Sequence, residues 1–325
     1  MITCTEFIPL YSEFFKYLEE REGHDAVLEY WYHISDTSIG DKTNPNSMAY
    51  HCDRLGGYDG SAKYWSHTTT EEACDTYGIT NNEKGYRFSI MRYCPSRGML
   101  NSLKHIEPYY DYCEHCKIIY SRVLEKYGIV YERNQSEVAN ARCSSVLYRA
   151  DNPPDFDIHN LTDEDLERMA NEPGAKVTEC KREGKKYLHR DFHLLGDNAL
   201  SYCGMKYGDE AVIGFLTSYV KNFYAPQIAE IHEKGLVRLK EWIENIYEVE
   251  EASDVLHTEL SGDVLTVTID KSPVIEFMHT LNQKPGKYYI EQTRTLYKAI
   301  ADECGFKFNL EYYNEDGATK FSFSK

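Results

Sequence analysis

Cys94, Cys113, His115, Cys116 and Cys143 bring four thiols and one proton carrier into the first half of the chain. Three chemistries follow from those types. A thiol at a helix N-terminus feels the positive end of the helix dipole, which favours thiolate, and a histidine beside it can serve as base. On that reading Cys113, His115 and Cys116 are candidate catalytic residues, with Cys94, Cys143, Tyr110 and Tyr112 beside the substrate. Alternatively, the four cysteines ligate one zinc ion, although their outer separations of about 20 and 27 residues are not those of a zinc finger. The third possibility is core packing, since buried cysteine behaves as a small hydrophobe.

A second group, His189-Arg190-Asp191-Phe192-His193, opens a predicted helix. The spacing i, i+4 would put His189 and His193 on one face, and Asp191 could cap the helix. His193 and Asp191 are candidate catalytic residues here, with His189 and Arg190 as substrate contacts. His51, in a polar stretch with Cys52 and Asp53, is a further binding candidate.

These residues must be positioned by a fold, and the chain repeats itself. Tyr64-Trp65 and Glu71 match Glu241-Trp242 and Glu248, an offset of 177 (242 − 65). Tyr112, Glu114, Tyr120 and Gly128 match Tyr289, Glu291, Tyr297 and Gly305 at the same offset. Cys94-Pro95 matches Ser272-Pro273, and Gly23 to Val27 matches Gly208 to Val212. Features that recur in one order indicate tandem copies. At the Cys143 position the second copy has Lys320, so the two copies are chemically unequal.

Hydrophobic periodicity fills in each copy. The first (1–150) reads as helices over 6–34, a loop over 37–60, and a β-α-β-β unit over 86–149: strand 86–93, helix 111–127, strands 129–133 and 142–149. A linker follows at 151–188. The second (189–325) reads as helices over 191–249 and a β-α-β-β unit over 264–323. The fold class is α+β. Because two open sheets expose edges, the two units are expected to be pseudo-twofold related with joined sheets, as in a fused homodimer, leaving a ligand site between them. The chain would then be a monomer as pseudo-dimer, or a homo-oligomer.

Composition restricts the partners. A formal net charge of −17 repels phosphate backbones, which argues against nucleic acid. No apolar run approaches membrane-spanning length, and the N-terminus lacks signal-peptide features, so a cytoplasmic protein with reduced cysteines is expected. Twenty-eight tyrosines suit the lining of a pocket for a small polar ligand.

Tyr112-x-Cys113-x-His115-Cys116, preceded by Arg92-Tyr93-Cys94-Pro95 and followed by Arg142-Cys143, resembles the L-2-amino-thiazoline-4-carboxylic acid hydrolase-like family. Cys94, Cys113, His115 and Cys143 match its pattern, while Cys116 stands where that family has an acidic residue. The resemblance implies hydrolytic opening of a small sulfur–nitrogen heterocycle of an amino acid. No cofactor is expected, with zinc as the alternative. The expected function is therefore a small-molecule hydrolase acting at a C–N bond. The alternatives are a non-catalytic ligand-binding or sensor protein, and a Cys/His metal-binding protein.

Overall fold

The computed structural model describes all 325 residues, with mixed helix and sheet. The elements in chain order are α1 (Phe7–Glu22), α2 (His24–Ile34), α3 (Met48–Leu55), α4 (Gly57–Glu71), β1 (Asp75–Asn81), β2 (Tyr86–Tyr93), α5 (Pro95–Ser102), α6 (Glu114–Leu124), β3 (Ile129–Asn134), β4 (Cys143–Arg149), α7 (Asp163–Ala170) and β5 (Ala175–Cys180). There follow α8 (Asp191–Tyr207), α9 (Asp209–Phe223), α10 (Ala225–Lys234), α11 (Leu236–Val249), β6 (Leu256–Ser261), β7 (Val264–Ile269), α12 (Pro273–Thr280), α13 (Glu291–Cys304), β8 (Lys307–Tyr313) and β9 (Thr319–Ser324). No helix is long and apolar enough to cross a membrane.

Two compact units form. The five-stranded unit comprises residues 18–103 and 108–189, with the antiparallel sheet β3-β4-β2-β1-β5. The four-stranded unit comprises residues 1–17, 104–107 and 190–325, with the sheet β8-β9-β7-β6. Apart from β5, the strand order is the same, and so are the connections. In each unit a Pro-initiated helix of eight residues follows the second strand, capped by the side chain of Cys94 in one and Ser272 in the other. In each, a longer helix then leads through a left-handed glycine, Gly128 (φ 69) or Gly305 (φ 73), into the third strand. A side chain there would meet the Cβ penalty of that conformation, which glycine avoids.

The observed strands at 86–93, 129–134, 143–149, 264–269, 307–313 and 319–324 follow the sequence pattern closely. Four expectations are corrected. The stretch 37–60 is not one long loop: it contains α3 and the start of α4, the former capped by the Ser47 side chain. The stretch 151–188 is not a simple linker. It supplies α7, closed by a Thr162–Asp165 capping box, and β5, which pairs with β1. Ile158 and Met169 from this stretch join Ile79, Tyr86, Phe88 and Val146 in the core. Each unit gains a leading strand, β1 or β6, whose mixed polar sequence hid its alternation. Finally, the two sheets are separate, with no strand shared between them. β5 covers the β1 edge from within its own unit, so joining the sheets is not what protects that edge.

Candidate functional site

The two faces of the five-stranded sheet are unlike. One carries Tyr86, Phe88, Val146 and Ile79, with Ile158, Met169 and Phe156 packed over them. Strand alternation puts Arg87, Ser89 and Met91 of β2 on the other face. The ladders pair these with Leu147, Ser145 and Cys143 of β4, and Leu147 and Ser145 in turn with Tyr131 and Arg133 of β3. This second face is mostly half-buried and largely polar. Trp65 of α4 stacks on Tyr131 at 5.5 Å between ring centroids, and Tyr120 of α6 lies edge-on to Trp65 at 5.3 Å.

Two guanidinium groups share that face. The Nε atoms of Arg87 and Arg133 are both buried without a hydrogen-bond partner. Arg87 lies 6.0 Å from the Trp65 ring centroid, and burial lowers its pKa to about 10, so it stays charged near neutrality. Arg133 donates from Nη2 to the Cys143 sulfur (2.9 Å) and from Nη1 to the Cys113 carbonyl (3.4 Å). Neither arginine has a carboxylate ion-pair partner. A guanidinium with an open N–H in a half-buried place is well suited to a bound carboxylate, which can take two parallel N–H donors.

The first turn of α6 holds a histidine–cysteine pair. His115 Nε2 lies 3.3 Å from the Cys116 sulfur, and Nδ1 contacts the Tyr112 carbonyl. The carbonyl orients the ring with one nitrogen toward the thiol. Burial alone would raise the Cys116 pKa, but the adjacent His115 charge and the Arg133 guanidinium, which also hydrogen-bonds the sulfur, outweigh it and bring it down to about 6. Burial disfavours the His115 cation, and the neighbouring sulfur and the Tyr112 carbonyl overcome that and raise its pKa. Both shifts run in the direction that favours a thiolate at Cys116 and a proton on His115.

The other cysteines do different things. The Cys94 thiol is pushed well up by burial and by Glu72, and its sulfur accepts from the Arg97 amide as the cap of α5. Cys113 sits at the N-cap of α6 without a side-chain capping bond, and burial pushes its thiol up to about 12. Neither is disposed as a nucleophile. No three of Cys94, Cys113, Cys116 and Cys143 gather their sulfurs within 4.8 Å, so the quartet does not have the geometry of a zinc site.

The second constellation is divided. His189 precedes α8 rather than sharing a helical face with His193. Its Nδ1 lies 2.8 Å from Glu71 in the five-stranded unit. His193 belongs to the four-stranded unit, 3.0 Å from Glu250 and 3.3 Å from the Cys4 sulfur. Asp191 is the first residue of α8; Arg190 occupies the N-cap position, makes no side-chain cap, and reaches the Glu250 carbonyl at 3.5 Å. Tyr110 is 72% exposed and donates to Glu19, whereas Tyr112 is buried beside His115. His51 is half-buried on α3, and burial, then Lys63, His67 and Arg54, lower its pKa.

Sequence reasoning missed Arg87, Arg133, Ser89, Ser145 and Trp65 as site residues. A signal existed: Arg87 and Arg133 interrupt strands whose counterparts in the four-stranded unit carry apolar residues at the same ladder positions, Leu265 and Leu310. The ladder also corrects the partner of Cys143. Met91 pairs with Cys143 as Ile269 pairs with Thr319, so the equivalent is the buried Thr319, not Lys320. Comparison with protein-family models, curated proteins and solved structures returned no match.

Proposed function

We propose that the five-stranded unit is a thiol-dependent hydrolase that holds a small carboxylate-bearing molecule on its polar sheet face and cleaves a C–N bond through Cys116. The observation that carries this reading is the Cys116 sulfur 3.3 Å from His115 Nε2, beside a sheet face with two arginines that have no carboxylate partner. The family resemblance of residues 92–143 favours an amino-acid-derived heterocycle as substrate.

The chemistry balances with water as co-reactant. The Cys116 thiolate adds to the electrophilic carbon of a C=O or C=N group, and an electron pair moves to its heteroatom. The protonated His115 donates the Nε2 proton to the departing nitrogen as the C–N bond breaks. Neutral His115 then takes a proton from water, which attacks the thioester-like intermediate and releases the thiolate. Arg133 and Arg87 would hold the carboxylate, and the aromatic residues Trp65, Tyr120 and Tyr131 would exclude bulk water.

The two units are also inferred to descend from one ancestor by tandem duplication. Their shared strand order, the paired Pro-initiated helices and the paired left-handed glycines support this.

The test combines alkylation with turnover. Iodoacetate should modify Cys116 first, with a rate that rises through a midpoint near pH 6, matching the lowered thiol pKa. Cys116→Ser should abolish both this reaction and the hydrolysis of 2-aminothiazoline-4-carboxylate and related cyclic amidines, while Arg133→Gln should slow both. If Cys116 alkylates no faster than the cysteines of the unfolded chain, the nucleophile is wrong. If it reacts fast but the substrates bind without turnover, the unit is a binding module.

A further inference from the structure

The four-stranded unit holds a separate cluster that the thiol chemistry does not use. Cys4, His193 and Glu250 come from the N-terminal segment, the first turn of α8 and the C-cap that follows α11. They are 1%, 5% and 3% exposed. Cys4 Sγ lies 3.3 Å from His193 Nε2 and 3.5 Å from Glu250 Oε2, and Nε2 lies 3.0 Å from Oε2.

Two protons can close this triangle, with the Cys4 thiol and the ring N–H both donating to Glu250 Oε2. With the thiol and the ring nitrogen deprotonated, the same three atoms offer a cation three lone pairs at once. Zinc bonds of about 2.0 Å to oxygen and nitrogen and about 2.3 Å to sulfur imply tetrahedral edges of about 3.3–3.6 Å. The observed edges of 3.0, 3.3 and 3.5 Å are within a few tenths of those values. The ligand set of one thiolate, one imidazole and one carboxylate is of the kind zinc takes. The carboxylate is held in place: the Cys4 amide donates to its other oxygen, Oε1, at 2.5 Å, which turns Oε2 toward the sulfur and the ring.

We infer that Cys4, His193 and Glu250 form a binding site for one zinc-class divalent cation, with one coordination position left for water. Its burial fits a staple rather than a site open to substrate. It joins residues 246 positions apart, Cys4 and Glu250, and so fastens the start of the chain to the helices of the four-stranded unit. The inference is independent of the Cys116 chemistry.

Cobalt is the direct probe. Full-length protein stripped with a chelator and then titrated with Co(II) should bind one equivalent and develop a thiolate-to-cobalt charge-transfer band with strong visible bands of a four-coordinate ion. Zinc should displace the cobalt and raise the melting temperature in proportion to the logarithm of its concentration. Cys4→Ser should lose the charge-transfer band, His193→Gln should lose stoichiometric binding, and Cys116→Ser should retain both. The inference is overturned if the wild-type protein develops no thiolate band with cobalt, if the band survives Cys4→Ser, or if it disappears in Cys116→Ser. The wild-type titration decides the matter even if a variant fails to fold.

Discussion

The same sheet face exists twice in this protein and is filled in two opposite ways. In the four-stranded unit it carries Leu265, Val267 and Ile269 of β7, Phe323, Phe321 and Thr319 of β9, and Phe308 and Leu310 of β8. The positions reached by the same ladder in the five-stranded unit are Arg87, Ser89, Met91, Leu147, Ser145, Cys143, Tyr131 and Arg133. The covering helix differs in step: Ile290, Gln292 and Thr293 stand where the other unit has Cys113, His115 and Cys116. On the dry face Tyr297 stacks on Phe321 at 4.8 Å, and both are buried. Two faces with one topology thus differ in character, and a few side chains decide which is apolar core and which is half-buried and polar. Replacing Phe by Ser in a core removes apolar contact and opens space, which is tolerable only if the space is used or the rest of the unit makes up the stability.

Three measurements would break or sharpen this comparison. The largest effect is expected at Phe321. Phe321→Ala should destabilise by about 3–5 kcal/mol in urea titration, the range for a buried aromatic truncated to alanine. Ser145→Ala, at the paired position, should change stability by less than about 1 kcal/mol. Equal losses would mean that the polar face is ordinary core.

The second concerns Asp197, a buried carboxyl of the four-stranded unit. Burial raises its pKa to about 6, with the Gly286 amide (2.8 Å) partly opposing the shift. A pKa raised on folding contributes stability that is complete below the unfolded value and is lost as pH rises through about 6. Asp197→Asn keeps an acceptor for Gly286 and cannot ionise. It should therefore be more stable than wild type by up to roughly 2–3 kcal/mol above pH 7. The advantage should vanish near pH 4, as thermal melts across that window would show. An advantage that does not change with pH would refute the assignment.

The smallest effect is at the paired caps. Ser272→Ala should cost about 1 kcal/mol, the usual value of a serine N-cap. Cys94→Ser installs the oxygen that the other unit uses and should leave stability unchanged or slightly higher. A large loss from Cys94→Ser would show that the sulfur does more than cap α5.

Much of the fold was legible because it rests on local patterns. The alternation in Val264 to Ile269 and in Thr319 to Phe323 states its own structure. The eight-residue helices after Cys94 and Ser272 were not read from it, being too short to show a helical apolar period. β1 and β5 were not legible. Asp75-Thr76-Tyr77-Gly78 and Ala175-Lys176-Val177-Thr178 have little apolar alternation, and they become strands because β2 and β1 offer them a ladder. Of the site, Cys116 and His115 could be read from their adjacency near a helix start. Arg87 and Arg133 showed only as charges breaking apolar strands; the face they take, and the approach of Arg133 to the thiol, depend on strand register, and a one-residue slip would turn them to the opposite face.

The sequence by itself determined the α+β class, the order of most strands and helices, and which residues could carry a thiol or imidazole reaction, because those follow from residue type and short-range periodicity. The tertiary structure decided which cysteine lies beside a histidine and an arginine and where the charges lie. A thiol pKa depends on burial and on charges from distant strands, and Cys4 meets Glu250 only through folding. Neither arrangement is encoded in local spacing. Both arise when apolar packing elsewhere brings remote polar groups together and withholds water from them.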